Sequence, residues 1–309
     1  MHKRIVCLMG PTASGKTALA CELVKRFPFE IVSVDSAMIY QGMNIGTAKP
    51  DLQTLEAFPH HLIDICLPHE SYSAASFCQD TLSLCEMIFN RGHVPLLVGG
   101  TMMYFRALQQ GLSVLPVADQ ALRDALYEEA AEHGWAHMHA LLMAVDAQAA
   151  LRIHAHDTQR LIRALEVYRL TEKPLSEHWN GYQNVLPYPS LNLALFPSRR
   201  AWLHDRIALR FDDMLAQGFL AEVEGLLQQY DLTSAAPSMR TVGYRQALDY
   251  FHGLIDHRTL REQGLAATRQ LAKRQLTWLR SWPEPVILDP ESVDALEHVI
   301  RSVSEFLTV

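Results

Sequence analysis

Gly10-Pro11-Thr12-Ala13-Ser14-Gly15-Lys16-Thr17 satisfies the phosphate-loop pattern G-x-x-x-x-G-K-[ST], and what flanks it decides the fold. Before it runs Ile5-Val6-Cys7-Leu8-Met9, a short apolar stretch with the character of a buried strand. After it, Ala18 to Phe27 places apolar residues at helical spacing. In that setting the glycines let the backbone wrap an anion with its N–H groups turned inward. The helix N-terminus adds partial positive charge, Lys16 a full one, and Thr17 a hydroxyl suited to a metal ion. A chance glycine-rich turn would not supply strand, loop, Lys-Thr and helix in this order.

Outward from the loop, strand and helix alternate. Glu30–Val34 reads as a second strand ending at Asp35-Ser36, and Val94–Val98 as a third ending at Gly99-Gly100-Thr101. Between them Tyr72-Ser73-Ala74-Ala75 opens a helix through about Asn90. This rhythm implies a parallel sheet whose ligands lie at the carboxyl ends of its strands. Three polar or glycine-rich strand tails should therefore converge on one crevice. From about 116 the pattern becomes helical at 119–133, 135–144 and 158–171, with Asp157-Thr158 a cap for the last. Pro174, Gly181, Pro187 and Pro189 interrupt it, and Leu191–Phe196 returns to strand character. The expected fold is α/β: a P-loop NTPase-like parallel-sheet core (1–115 and 191–309) with an inserted all-helical domain (116–190).

Composition fits an ordinary soluble globular protein of one large or two fused domains: 309 residues, 49% hydrophobic and 20% charged. The apolar runs are too short for a membrane span, and the loop begins too early for a cleaved signal peptide, so a cytoplasmic protein is expected. The five cysteines (Cys7, Cys21, Cys66, Cys78, Cys85) form no C-x-x-C pair and read as reduced, mostly buried side chains. The pairs His60-His61, His137/His139 and His154/His156 lack the cysteine or carboxylate companions of a zinc site. Net charge is −7, yet residues 239–280 carry eight basic side chains against Asp249, Asp256 and Glu262. Such clustering can give an acidic protein a local phosphate-facing surface, or simply a solvated helix face.

Motif logic alone leaves kinases, nucleotide hydrolases and other phosphate handlers open. No Asn-Lys-x-Asp guanine reader is present, and the third strand ends in two glycines where a hydrolase would often carry a metal-binding Asp. Beyond this point the chain resembles the tRNA dimethylallyltransferases, also called tRNA isopentenyltransferases. The resemblance is carried by GPTASGKT at 10–17, SVDSAMIYQGMNIGTAKP at 33–50, PHHLIDI at 59–65 and LLVGGT at 96–101. It continues through DTQRLIRALEVY at 157–168, MRTVGYRQA at 239–247 and RQLAKRQLTWLR at 269–280.

The resemblance implies transfer of a dimethylallyl group from dimethylallyl diphosphate to N6 of the adenosine next to the anticodon, position 37 of the tRNA. Gly10, Pro11, Thr12, Ala13, Ser14, Gly15, Lys16 and Thr17 would hold the diphosphate, with Mg²⁺ on Thr17. Asp35 matches the general base and Thr101 the residue near the reacting amine; a helix starting at Ser36, capped by Asp35, is compatible with that role. Asp35, Ser36, Ala37, Met38 and Thr101 would contact the flipped nucleotide. Arg123 and the run Gln159, Arg160, Leu161, Ile162 and Arg163 would meet the anticodon stem-loop from the insertion. Arg240, Thr241, Val242, Gly243, Tyr244 and Arg245 would meet tRNA or diphosphate from the core. A monomer is expected. GGTMMY at 99–104 departs from the usual GGTGLY, which brings the geometry of that turn into question at Met102. An ATP-dependent small-molecule kinase and a nucleotide-gated RNA-binding module are the competing readings.

Overall fold

A computed structural model describes residues 3–180, 182–183 and 185–308. The strands are β1 (Ile5–Met9), β2 (Phe29–Val34), β3 (His60–His61), β4 (Val94–Gly99), β5 (Leu112–Ser113), β6 (Tyr182–Gln183), β7 (Ser190–Leu195) and β8 (Val286–Leu288). The first helices are α1 (Lys16–Val24), α2 (Leu52–Ala57), α3 (Ala74–Asn90) and α4 (Met102–Gln110). Next come α5 (Gln120–His133), α6 (Trp135–Val145), α7 (Ala147–Ala150) and α8 (Thr158–Thr171). The last are α9 (Arg200–Ala216), α10 (Phe219–Gln229), α11 (Tyr244–Phe251), α12 (His257–Arg280) and α13 (Ala295–Thr308).

Six strands form one parallel sheet in the order β3-β2-β4-β1-β7-β8. Every residue of β1 is buried, as a central strand covered on both faces requires. The chain leaves β1 toward the β2 and β4 side and later returns to fill the other side with β7 and β8. The loop after β1 therefore sits where the winding direction reverses, the point at which parallel α/β sheets bind ligands. One core packs α1 and α13 against the sheet through Val6, Leu8, Leu23, Leu96 and Val299. A second joins α9 to α12 with the 39–43 segment through Phe211, Phe219, Tyr244 and Leu260. All five cysteines are buried, and burial pushes the Cys78 and Cys85 thiols up to about 11 and about 12.

The chain divides into two compact units, one running to Arg106 and resuming at Pro187, the other spanning Ala107–Leu186. The division thus falls earlier at both ends than 116 and 190. The physical reason is a stem: the Leu186 N–H donates to Leu108 O at 2.8 Å, and β5 pairs antiparallel with β6 just beyond. That short ladder also makes the second unit mainly helical rather than all-helical. Its core is Leu126, Met138, Leu142, Leu161 and Leu165. Each helix in it begins where a short polar or glycine residue allows: Asp119, Asp146 and Asp157 accept backbone N–H bonds at the starts of α5, α7 and α8.

Candidate active site

The tails of β1, β2 and β4 open into one cleft of about 800 Å³ in the sheet-bearing unit, walled opposite by α9 and α12. Gly15 adopts φ 93°, a left-handed conformation that glycine takes freely, and α1 starts one residue later at Lys16 rather than at Ala18. Ala13 is also left-handed at φ 63°, which a side-chain-bearing residue resists; Arg206 Nε donates to its carbonyl at 2.8 Å. Ser14 Oγ donates to Pro11 O at 2.8 Å, closing the loop on itself. Lys16 Nζ donates to Gly10 O at 2.9 Å and Pro11 O at 2.7 Å. Burial first, then the positive charge of Arg210, lowers the Lys16 pKa to about 7, while Asp35 pulls the other way. Burial likewise lowers the Arg210 guanidinium, again opposed by Asp35. Cations held against their own repulsion in a shielded cleft form a receptor for a polyanion.

Asp35 follows β2, and its Oδ1 accepts the N–H groups of Ala37 at 2.8 Å and Met38 at 3.3 Å. These bonds close a turn; the helix expected from Ser36 does not form, and the segment passes into a bridge between Tyr40 and Cys66. The carboxylate is thereby aimed by its own backbone, with Ser36, Ala37 and Met38 lining the cleft beside it. Thr101, after β4, accepts the Ser36 N–H on Oγ1 at 3.0 Å, so the two strand tails are joined. Met102 starts α4 with a negative φ and a buried side chain, so methionine is accommodated there without backbone strain.

Thr17 opens onto the same cleft. Among the described residues no group of three or more His, Cys, Asp or Glu could cage a metal ion. Magnesium seldom needs such a cage, since it keeps waters and takes phosphate oxygens. The residues fit an ion held by Thr17 Oγ1 and a bound diphosphate.

Arg240, Thr241, Val242 and Gly243 line the cleft from the far side. Tyr244 does not: its ring is fully buried and its hydroxyl donates to Glu222 Oε1 at 2.6 Å. The same carboxylate accepts the N–H groups of Asn44 at 2.8 Å, Ile45 at 2.7 Å and Gly46 at 3.1 Å. Tyr244 is therefore a fastening, through which Glu222 ties two cleft-wall segments together, and not a surface contact. Arg245 is exposed.

In the helical unit, Gln159 and Arg160 are exposed, whereas Leu161 and Ile162 sit in the core with no side chain to offer a partner. Arg123 and Arg163 close on the fully buried Glu166: Arg123 Nε and Nη2 lie 3.0 and 3.1 Å from it, Arg163 Nη1 2.6 Å. Arg163 Nη2 also donates to Pro116 O at 2.7 Å, and the Asp119 N–H donates to Glu166 Oε1 at 2.8 Å. Burial alone would raise the Glu166 carboxyl, but Arg163, Arg123 and that N–H outweigh it and hold it below its ordinary value. The histidine pairs are hydrogen-bonded locally: His61 to Glu30, His60 to Phe58 O, His139 to Ala150 O and Ile153 O.

Four residues central to this arrangement escape motif reading. Arg206 and Arg210 are one turn apart on α9, an ordinary amphipathic pattern in sequence. Gln275 lies in the quoted 269–280 block without a distinguishing signal, and Glu222 is one carboxylate among many.

The comparisons with known proteins agree with the geometry. The family described as IPP transferase matches residues 38–282. The tRNA dimethylallyltransferase of Legionella pneumophila (strain Lens) is 57% identical over 307 residues, 99% of this chain and 98% of that protein. The tRNA dimethylallyltransferase of Thiobacillus denitrificans is 60% identical over 284 residues, 92% of this chain and 91% of that protein. Among solved structures, the full-length tRNA isopentenylpyrophosphate transferase of Bacillus halodurans superposes with a TM-score of 0.70 at 33% identity, covering 99% of this chain and 98% of that one. A eukaryotic dimethylallyltransferase, described as acting on tRNA, reaches a TM-score of 0.84 at 26% identity, over 99% of this chain and 80% of its own. With a shielded anion loop and an aimed carboxylate in one cleft of a parallel sheet, and relatives matched along almost the whole length, the chain belongs to the tRNA dimethylallyltransferase family of IPP transferases.

Proposed function

We propose that this chain transfers the dimethylallyl group of dimethylallyl diphosphate to N6 of adenosine 37 in tRNA, releasing diphosphate. The observation that carries the reading is the meeting, in one cleft, of the Lys16 loop with the Asp35 carboxylate. As the allylic C–O bond breaks, negative charge grows on the departing diphosphate. The loop N–H groups, Lys16 and Arg210 stabilise that charge from fixed positions. Magnesium bound at Thr17 would add Lewis-acid stabilisation of the same oxygens. Adenine N6 is a weak nucleophile because its lone pair is delocalised into the ring. As the new C–N bond forms, Asp35 takes the N6 proton, and the Ser36–Thr101 bond holds its loop in place. An adenosine inside a stacked anticodon loop must swing out to enter such a cleft. Gln159 and Arg160 on α8, with Arg240 and Arg245, supply exposed polar and cationic contacts for the RNA, and Arg123 and Arg163 shape the α8 surface through Glu166.

The decisive assay incubates the protein with unmodified tRNA, dimethylallyl diphosphate and Mg²⁺ and weighs the nucleosides for prenylated adenosine. ATP turnover without isoprenoid, and no prenylated product, would support the kinase reading. In the same assay Asp35→Ala should slow transfer by about 10²–10⁴-fold while donor and tRNA binding stay near normal. Turnover close to the parent's removes Asp35 from the proton-accepting role.

A further inference from the structure

Three loops must keep register if leaving group, attacked carbon and incoming amine are to line up. Gln275, on α12 and nine-tenths buried, bridges two of them directly. Its Oε1 accepts the Thr12 N–H of the phosphate loop at 2.8 Å, and its Nε2 donates to Gly100 O at 2.8 Å. Gly100 has to be glycine for this to happen, because a Cβ there would collide with Gln275 Nε2. The next residue, Thr101, receives the Ser36 N–H at 3.0 Å and donates its own N–H to Val34 O at 3.2 Å. Hydrogen bonds thus run from the phosphate loop through Gln275 to the turn after β4, and from there to the residues on either side of Asp35.

We propose that Gln275 is a positioning residue that sets the spacing between the diphosphate-holding loop and the Asp35–Thr101 pair, an inference resting on the functional reading above. The chemistry of the contact specifies an amide. One planar group has to accept at one atom and donate at the neighbouring one, to two backbone groups that cannot exchange roles. A carboxylate can take the Thr12 N–H but repels Gly100 O. Protonated, the same carboxyl recovers both bonds, accepting through its carbonyl and donating through its O–H.

This supplies a test that loss of packing would not mimic. Transfer is measured for the parent, Gln275→Glu, Gln275→Leu and Gly100→Ala, with pyrophosphate affinity and melting temperature alongside. Gly100→Ala disturbs the bridge from the other end and covers the case in which a Gln275 variant fails to fold. At pH 8 each variant is expected to lose about 10²-fold in kcat, the scale of an ångström of misplacement, while pyrophosphate affinity changes less than about threefold. Lys16, Asp35, Arg206, Arg210 and Arg274 line the same cleft and are common to all these proteins, so ratios to the parent cancel their titration. As pH falls from 8 to 5.5, the Gln275→Glu ratio should climb at least about fivefold as the introduced carboxyl takes up its proton, and the Gln275→Leu ratio should stay flat. Variants within twofold of the parent, equal losses in affinity and kcat, or parallel pH profiles for Glu and Leu overturn the inference. A parent that makes no prenylated adenosine defeats the functional reading instead, and this inference with it.

Discussion

Arg206 and Arg210 in the cleft, and Arg123 and Arg163 in the helical unit, are chemically identical side chains put to opposite uses. The helical pair shares one buried carboxylate, Glu166, so each of its cations is in direct ion contact with a counter-charge. In the cleft, Arg206 spends one N–H on the Ala13 carbonyl, and neither arginine has an ion-pair partner among the described residues. Charge already satisfied by the fold stabilises the fold. Charge next to Lys16 that Asp35 balances only at a distance, without an ion pair, favours a bound polyanion. The teaching of the pair is that the location of the counter-charge, and not the residue type, separates a structural arginine from a ligand-binding one.

The largest consequence is catalytic. Arg210→Ala should lower kcat by about 10²–10³-fold, the scale for removing one preorganised donor from a developing anion. Its melting temperature should equal the parent's or exceed it, because a confined cation without a partner is removed. A melting temperature several degrees lower would break the comparison. Arg163→Ala should do the reverse: about 1.5–2 kcal/mol of stability lost, because Glu166 keeps Arg123 and the Asp119 N–H, with diphosphate affinity unchanged.

The same site gives an acid-lability. Glu166 has a folded pKa below its unfolded one, so its contribution is present above the ordinary glutamate range of about 4.3 and lost as pH falls through the depressed folded value. Arg163→Ala should lose part of that acid sensitivity in a melting series. A smaller effect concerns Lys16, with a free pKa of about 7. A bound diphosphate restores the charged lysine, so binding at pH 8 should take up part of a proton, and affinity should fall as pH rises above 7. Calorimetry in buffers of different ionisation enthalpy reads this uptake, which should vanish in Lys16→Ala. The smallest is at Arg160, whose ion pair with Asp157 is largely in water. Arg160→Ala should leave stability untouched and flatten the salt dependence of tRNA binding by about one unit.

The difference between the two arginine pairs also marks what could be read from sequence. The phosphate loop, the Asp35 and Thr101 tails and the start of α8 depend on local rules: strand period, glycine conformation and an aspartate cap. They stand where those rules put them. Glu166 lies 47 residues from Asp119, Gln275 263 residues from Thr12, and Glu222 178 residues from Asn44. No local pattern distinguishes such residues, because their partners are chosen by the fold as a whole. Tyr244 shows the hazard in reverse, lying within a legible functional block and yet turned inward to Glu222.

The position of the insertion has a consequence for how the chain is made. Central β1 pairs on one side with β4, which ends at Gly99, and on the other with β7, which ends at Leu195. During synthesis at roughly 5–20 residues per second, that second edge waits on the order of 5–20 s for its partner. An exposed strand edge is a template for pairing with other chains, and parallel pairing is slow to complete. The interval is filled by a segment whose own ends are clasped by the Leu186–Leu108 bond, so it can condense on the ribosome without lengthening the gap that β7 must cross. The inserted helices thereby act as a folded spacer, bringing the returning strand back beside the sheet it completes.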